Sequence, residues 1–456
     1  MLFSIWLGSL THHRGLVRYG SNCYLRQAAF FVENRGVRSR GLVEPAPFAV
    51  WPLGYPFAIA VVSRLTTLPV FWAAKALNSL VVGIVVLLVR ALPRTGGAAC
   101  LALLSAGMVS MFSSTFAEGV FRLALLVVAL TVARLVVRPS GSAALGLAIT
   151  FGSAFSIRYV GAVLVCPIVA AWAWARVGGQ PRGTKLLAAA LVGGASLIGA
   201  YMVLTWWIAG SLLPPRVPRT ESVATFLYET TKAFVAEANF AFLYIPNPRD
   251  ITSLAVVTGV LILTTVAILG VWRQGARLRQ GQHSLHREER VTLVVLALVG
   301  AFFWATMTVL KFRVYFNPLD FRLLGPRTLL MSAAAFGALA TLGVSQHRTA
   351  MTAVATVIVT TVIHSCLYTP WQDYQTDGGL FPDRMETIHR RYEDVPAGSV
   401  ILRGSLHLLF LRPDLLVVPQ ERIRSRESFD NLRAQAVRAG RQVWVERDGH
   451  PLHEPR

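Results

Sequence analysis

Residues 119–137 read GVFRLALLVVALTVARLVV, and Arg122 and Arg134 are the only charged residues in this segment. A predominantly apolar segment of about 20 residues is long enough to cross a bilayer as an α-helix. Comparable apolar runs recur along the 456-residue chain and are separated by arginine-rich links. The pattern predicts a polytopic membrane protein.

The predicted fold is an all-α membrane domain of about ten to eleven transmembrane helices, followed by a small α/β domain. The ten predicted spans are 69–90, 97–113, 119–137, 142–157, 159–176, 186–208, 252–272, 291–310, 328–344 and 348–367. An eleventh is suggested by Met1–Leu10, which is apolar but too short to span and lacks the features of a signal peptide. We expect a first helix that is truncated or that begins upstream of Met1.

Composition excludes several classes of protein. Charged residues make up 15% of the chain and hydrophobic residues 54%, whereas a soluble domain has about 25% charged residues. The net charge of +21 resides largely in short links, where lipid headgroups supply the counter-charge, so we predict no nucleic-acid binding. The four cysteines have no CxxC spacing and His12 and His13 are adjacent, so these residues predict neither a disulfide framework nor a metal site.

The links between the spans differ in charge, and this difference predicts the orientation of the chain. Short basic links carry Arg90, Arg134, Arg138, Arg176 and Arg290 and are predicted to be cytoplasmic. Longer links of mixed sign are predicted to be extracytoplasmic. The expected organisation is a first outer loop (1–68), a transmembrane domain (69–367) and an extracytoplasmic domain (368–456) of a protein of the plasma (inner) membrane.

The last segment has the pattern of a small α/β domain. Short apolar runs at 400–402, 415–418 and 442–445 predict β-strands. Residues 428–439 predict a helix that ends at Gly440.

The first loop ends in Trp51-Pro52-Leu53-Gly54-Tyr55-Pro56. The two prolines fix the backbone and Gly54 permits a turn between them. Trp51 and Tyr55 are residues typical of the headgroup region, so the simplest interpretation is an interfacial anchor.

Glu118 begins the span quoted above and has two interpretations. Thr115-x-x-Glu118 ahead of an apolar run is a capping-box pattern, in which the two side chains bond the first backbone amides of the helix. Alternatively, Glu118 is a carboxylate at the outer membrane face that acts as a general base or binds a cation.

Arginines interrupt the apolar pattern at two further places. Arg158 follows Ile157 and precedes Tyr159 almost without a loop, so it either extends to lipid headgroups or binds the phosphate of a lipid-linked substrate. Asp320, Arg322 and Arg327 form either a second phosphate clamp or pairs with one another.

Taken together, these motifs resemble the polytopic membrane glycosyltransferases of the C-type superfamily (GT-C), over most of the chain. The segments that carry the resemblance are 21–28 in the first loop, Trp51–Pro56, Phe116–Glu118, Gly146 to Tyr159, Arg322–Pro326 and Val395–Val400. The resemblance implies a donor in which a sugar is attached to a polyprenyl phosphate, a lipid, glycan or protein acceptor, and catalysis on the extracytoplasmic face. It implies substrate-binding roles for Asn22, Tyr24, Trp51, Tyr55, Arg158, Tyr159, Arg322 and Arg327.

The chain departs from the family pattern in the first loop. The family carries an aspartate shortly before the tyrosine that corresponds to Tyr24, as catalytic base or metal ligand, whereas residues 1–68 contain no aspartate and Asn22 stands near that place. An amide cannot accept a proton at neutral pH. The candidate bases are therefore Glu118, Glu33 and Glu44. The superfamily permits a divalent metal, but no residue set here predicts one.

Three functions remain open at this stage. The first is a glycosyltransferase that transfers a hexose or pentose from a lipid-linked donor. The second is an inactive relative that binds lipid or glycan or assists assembly, which the missing aspartate favours. The third is a transporter, which is less consistent with ionisable residues concentrated in the outer loops.

Overall fold

The computed structural model describes residues 19–33, 52–92, 96–104, 117–210, 222–228, 230–231, 287–313, 321–339, 381–405, 407–419, 425–447 and 450–454, with residues 6, 10, 108, 112, 115 and 423. The predicted spans 252–272 and 348–367, and the suggested helix at Met1–Leu10, lie outside these ranges.

The membrane part of the described chain is helical. Its helices are α1 (Tyr19–Val32), α2 (Gly54–Thr66), α3 (Val70–Arg90), the short α4 (Gly96–Ala99) with a 3₁₀ turn (Cys100–Leu104), α5 (Glu118–Val137) and α6 (Gly141–Ile157). After a 3₁₀ segment (Tyr159–Leu164) follow α7 (Val165–Val177), α8 (Pro181–Ala209), α9 (Arg287–Arg313) and α10 (Phe321–Leu339).

Among the described residues, five helical segments are long and apolar enough to cross a membrane. They are Val70–Arg90, Glu118–Val137, Tyr159–Val177, Pro181–Ile208 and Glu288–Phe312, and each coincides with a predicted span. The shorter apolar helix α6 covers the predicted span 142–157. The prediction of a polytopic, largely helical membrane protein is confirmed.

Two predicted boundaries were wrong. Helix α10 begins at Phe321 and not at 328, because Pro326 lies inside the helix and does not start it. Proline is tolerated in membrane helices where neighbouring groups satisfy the freed backbone atoms. The described start of the predicted span 97–113 is a four-residue helix followed by a 3₁₀ turn, so the chain there is not one continuous helix.

Helix α5 lies at the centre of the bundle. It contacts α3, α6, α8, α9 and α10, and its side chains are buried over most of its length. Helices α6 and α8 approach closely because both carry small residues, as is common in membrane helix packing. A Cβ atom on Gly194 would lie 2.3 Å from the ring of Phe151, and one on Gly152 would lie 2.6 Å from Leu197.

The C-terminal residues form a small α/β domain, as predicted. Its elements are α11 (Phe381–Arg391), β1 (Val400–Gly404), α12 (Leu408–Leu411), β2 (Leu416–Pro419), α13 (Arg426–Arg438), β3 (Val443–Arg447) and β4 (His450–Glu454). The strand order is β2-β1-β3-β4; β1 is parallel to β2 and β3, and β4 is antiparallel to β3.

Two apolar clusters cover the faces of this sheet. Helix α13 packs on one face, through Leu432 and Ala436, and residues of α11 and α12 pack on the other. Gly440 adopts φ +70°, which is the left-handed conformation expected where α13 ends. Sequence reasoning missed β4, because Pro451 and the polar residues around it lack a strand pattern; as an edge strand, β4 tolerates a proline.

The C-terminal domain docks on α1 and on the start of α3. The ring of Phe410 in α12 stacks on Phe71 at the start of α3, with 6.3 Å between centroids. The Arg26 guanidinium of α1 donates a hydrogen bond to the Leu415 carbonyl (3.1 Å), and burial lowers the pKa of Arg26 to about 10. Arg26 therefore stays charged at neutral pH, and its buried guanidinium interacts with the dipole of the Leu415 carbonyl.

Arg158 lies in the break between the apolar helices α6 and α7, and the turn at this break depends on Gly161. Arg158 has extended backbone (φ −149°, ψ 127°), and the Gly161 amide donates to its carbonyl (2.7 Å). A Cβ atom on Gly161 would lie 2.5 Å from the backbone carbon of Ala154, closer than backbone atoms permit.

We predict that Gly161→Ala destabilises the protein by about 1–3 kcal/mol, because the added methyl group must displace the backbone of α6. The matched control is Gly146→Ala in α6, where the methyl group would meet nothing within 4 Å. That substitution should be neutral or stabilising by about 0.4–1 kcal/mol. Unfolding curves of both variants in detergent micelles measure the difference. Equal stabilities would contradict the assignment of Gly161 as a close-packing position.

Candidate functional site

The site is built around an ion pair between Glu118 and Arg158. Arg158 Nη1 donates to Glu118 Oε1 at 2.5 Å, and only 17% of the Arg158 side chain and 7% of the Glu118 side chain are exposed. The guanidinium also lies over the ring of Phe121, 5.9 Å from its centroid. Glu118 begins α5 and Arg158 ends α6, so the packing of these two helices brings together residues that are 40 positions apart.

This geometry decides between the interpretations that the sequence left open. The capping-box prediction was wrong: α5 begins at Glu118 itself, its N-cap is Ala117, and no side chain caps it. The extension of Arg158 to headgroups was also wrong, since the side chain turns into the bundle to meet Glu118. In both cases a tertiary ion pair overrides a pattern that depends on neighbouring residues in the sequence.

Tyr55 is buried inside the protein, close enough to Glu118 to feel its charge. It is fully buried, its ring packs edge-to-face on Tyr24 at 5.3 Å, and its hydroxyl donates to Asn78 Oδ1 at 3.4 Å. Burial, with the charge of Glu118 adding to it, raises the pKa of Tyr55, so the phenol stays neutral. The prediction of an interfacial anchor was therefore wrong for Tyr55, because α1 covers it.

Gly54 explains why Tyr55 reaches this position. A Cβ atom at residue 54 would lie 2.7 Å from both the carbonyl oxygen and the Oγ of Ser156. The glycine therefore lets the start of α2 touch the end of α6, two residues before Arg158. The amide of Leu53 also donates to the Tyr201 hydroxyl (2.9 Å), which ties this turn to α8.

Sequence reasoning missed Asn78 and Tyr201. Asn78 is fully buried in α3, donates to the Phe112 carbonyl (3.0 Å) and accepts from Tyr55. Tyr201 packs against Phe155 and Tyr159, with centroids 5.9 and 6.5 Å away. Polar groups inside otherwise apolar spans are the available signal, since such groups are costly in lipid and usually have partners.

The remaining candidate residues contact other groups, are exposed, or lie outside the description. Arg327 is buried in α10, its guanidinium 5.3 Å from the ring centroid of Trp304, and its Nε donates to Met331. Glu33 is exposed at the end of α1. Asn22 and Arg322 lie in α1 and α10, but their side chains are not described; Trp51, Glu44 and Asp320 lie outside the described residues.

A divalent metal does not fit the described residues beside Glu118. They contain no group of three or more His, Cys, Asp or Glu side chains that could hold an ion. The described neighbour of the carboxylate is a guanidinium, which repels a second cation.

A second ion pair lies at the opposite end of α5. Arg138 Nη2 is 3.4 Å from Glu288 Oε2 at the start of α9, and both side chains are substantially exposed. Both ends of this contact belong to links that the charge pattern predicts to be cytoplasmic. Glu118 is at the other end of the same helix, and its face of the membrane stays a prediction.

No family model and no curated protein matches this chain. Two structures of the oligosaccharyltransferase of Archaeoglobus fulgidus match its fold: AglB in complex with an inhibitory peptide and a dolichol-phosphate (TM-score 0.51, 10% identity) and a complex with Zn and sulfate (TM-score 0.52, 12% identity). They cover 94% and 96% of this chain, but the chain spans only 65% and 64% of theirs.

The chain has the C-type glycosyltransferase fold. The predicted resemblance is thus confirmed at the level of architecture. ArnT from Cupriavidus metallidurans bound to undecaprenyl phosphate is a weaker match (TM-score 0.47, 15% identity, covering 98% of this chain and 92% of that one). At these identities the likeness concerns the C-type fold and leaves the activity to be argued from the site.

We predict that the two ion pairs differ in strength. Removing one partner of a buried pair leaves an uncompensated charge and typically costs 3–5 kcal/mol, whereas exposed pairs contribute about 0–1 kcal/mol. A double-mutant cycle of Glu118→Gln and Arg158→Met should therefore give a coupling energy above about 1 kcal/mol. The matched cycle of Glu288→Gln and Arg138→Met should give less. Reversible unfolding in mixed micelles measures both, and similar couplings would contradict the burial of the Glu118 pair.

Proposed function

We propose that this protein is an integral-membrane glycosyltransferase that moves a sugar from a polyprenyl-phosphate donor to a lipid, glycan or protein acceptor on the extracytoplasmic face. The fold is that of transferases with lipid-linked substrates, and one match was solved with a dolichol-phosphate. The observation that carries the proposal is the Glu118–Arg158 pair, since it joins a carboxylate to a guanidinium within a buried site, and a guanidinium is a group that binds phosphate well.

Each residue of the pair has a role in the transfer. The acceptor hydroxyl attacks the anomeric carbon of the sugar while the bond from that carbon to the phosphate oxygen breaks. Glu118 takes the proton of the hydroxyl as general base. Arg158 stabilises the departing polyprenyl phosphate, whose negative charge grows in the transition state. No step requires a metal ion.

In this proposal the ion pair also sets the order of donor binding and proton removal. Arg158 Nη1 donates a hydrogen bond to Glu118 Oε1. A guanidinium has five N–H donors, so an arriving phosphate can share or replace that contact. Donor binding then weakens the hold of Arg158 on the carboxylate, which becomes available to the acceptor. Phe121 and the neutral Tyr55 are buried beside this pair.

Glu118 is the preferred base among the three candidates. Glu33 follows α1, whose end lies beside the end of α2, since Arg64 donates to the carbonyls of Phe31 and Val32. Nine residues of helix separate Arg64 from Tyr55, which is about 13 Å along the axis. Glu33 is therefore second, and Glu44 is a candidate from the sequence alone.

The alternative is a protein that binds the donor lipid or a glycan without transfer. Asn22, where the family has an aspartate, favours it. A phosphate held by Arg158 serves binding as well as catalysis, so the two functions differ in turnover and not in recognition.

We predict that membranes containing the wild-type chain transfer sugar from labelled polyprenyl-phosphate sugars to an acceptor, and that Glu118→Gln lowers the rate by about 10²–10⁴-fold, as for loss of a general base. Glu288→Gln is the matched control, since it removes a carboxylate from the ion pair at the opposite end of α5. It should retain wild-type turnover.

Other outcomes have separate meanings. Equal turnover by Glu118→Gln and wild type would move the base to Glu33 or Glu44. Donor binding without turnover, weakened by Arg158→Met and not by Arg138→Met, would establish the binding protein and reject the transferase. Absence of both binding and turnover from a folded protein would reject the proposal in either form.

A further inference from the structure

A groove of about 710 Å³ lies between the membrane part and the C-terminal domain, apart from the Glu118–Arg158 site. One wall is the turn between α2 and α3 with the end of α1, and the other is formed by α11 and α12. The volume is typical of a small-ligand site.

The interior of the groove is apolar. Leu68, Phe71 and Trp72 line it from the membrane part, and Met385, Phe410 and Leu411 line it from the C-terminal domain. These are aliphatic and aromatic side chains that accept a hydrocarbon chain and offer few hydrogen bonds to anything else. A free sugar or nucleotide would lose its hydration there without compensation.

The rim of the groove is charged with both signs. Arg64 is exposed there. Hydrogen bonds from its Nη2 to the Phe31 and Val32 carbonyls (2.7 and 3.1 Å) fix the position of its guanidinium group. His389 and Glu386 lie on the opposite wall, where Glu386 pairs with Arg390, and Glu33 completes the charged lining. A guanidinium binds phosphate well, while carboxylates beside it favour a headgroup that also carries a cation.

Helix α2 connects this groove to the lipid. Phe57, Val61 and Leu65 are spaced four residues apart and are 60%, 39% and 80% exposed, so they form an apolar stripe along the side of α2. Leu65 ends the stripe next to Arg64. A lipid chain lying against the stripe therefore reaches the mouth without crossing water.

The wall of the groove is also strained. Thr67, exposed at the end of α2, has φ +59°, which is unfavourable for a β-branched residue. Strain of this kind tends to persist at ligand sites. Here it turns the chain from α2 into α3 and so keeps the groove open beside Pro69.

We propose that this groove binds one zwitterionic phospholipid, with an acyl chain between Phe71 and Met385 and the phosphate at Arg64. The ammonium group faces the rim carboxylates. This site is independent of the proposed transfer reaction, and its test involves no sugar donor.

The experiment uses the purified full chain in lipid nanodiscs that contain phosphatidylethanolamine with a photoactivatable diazirine in its acyl chain. After illumination, mass spectrometry should find the label enriched on peptides that contain Met385 and Leu411. Unlabelled phosphatidylethanolamine should compete about tenfold better than phosphatidylglycerol. Met385→Trp, which fills the groove, should lose the enrichment, whereas Leu452→Trp, on an exposed position of β4, should keep it.

The unfolding midpoint of each variant shows that it is folded. Label spread evenly over the lipid-facing helices of the wild type would overturn the site, as would undiminished label in a folded Met385→Trp. Equal competition by phosphatidylglycerol would overturn the zwitterionic assignment. If Met385→Trp does not fold, the wild-type label map and the competition decide alone.

Discussion

The ion pair between Glu118 and Arg158 is the contact on which the rest of the site depends. Moving a carboxylate and a guanidinium out of water is costly, and in a membrane protein the cost is offset only if the two charges meet in good geometry. The chain achieves this by interrupting α6 and α7 at Arg158, whose extended backbone turns its side chain toward the start of α5. Gly161 permits the turn, and Gly54 lets α2 close over it.

The surrounding residues restrict the pair through hydrogen bonds that cross between helices. Asn78 links the Tyr55 hydroxyl to the Phe112 carbonyl, and its amide oxygen lies near Gly119, the residue after Glu118. Tyr201 holds the backbone of Leu53. Each of these polar groups sits in an apolar environment, where unpaired donors are expensive, so the helices that carry them have few alternative arrangements. The start of α5 is thereby fixed from α2 and α3.

The sequence predicts the parts of this protein that depend on local patterns, and it fails where tertiary contacts decide. Run length located the spans at Val70–Arg90 and Glu118–Val137, since apolar length is what the bilayer selects. Glu118 and Arg158 were each singled out, but their contact depends on how α5 packs against α6, and a local capping pattern pointed elsewhere. Tyr55 was expected at the headgroups because nothing in its own segment shows that Tyr24 covers it. Asn78 is recognisable from the sequence as an amide within an apolar span, but it belongs to none of the motifs that were considered.

The amide at Asn22 changes what Glu118 must do. If no residue of the first loop can remove the proton, a transferase of this fold needs another carboxylate. Among the described candidates, Glu118 is the one paired with Arg158, the cation that we propose for the leaving phosphate. In the proposed reaction, the base and the phosphate-binding cation are joined by one hydrogen bond of 2.5 Å. In that proposal the two roles are coupled, because a phosphate that bonds to Arg158 weakens its bond to the Glu118 carboxylate. A substrate without a phosphate would leave the ion pair intact, so the proposed mechanism predicts selectivity for a phosphate-linked donor.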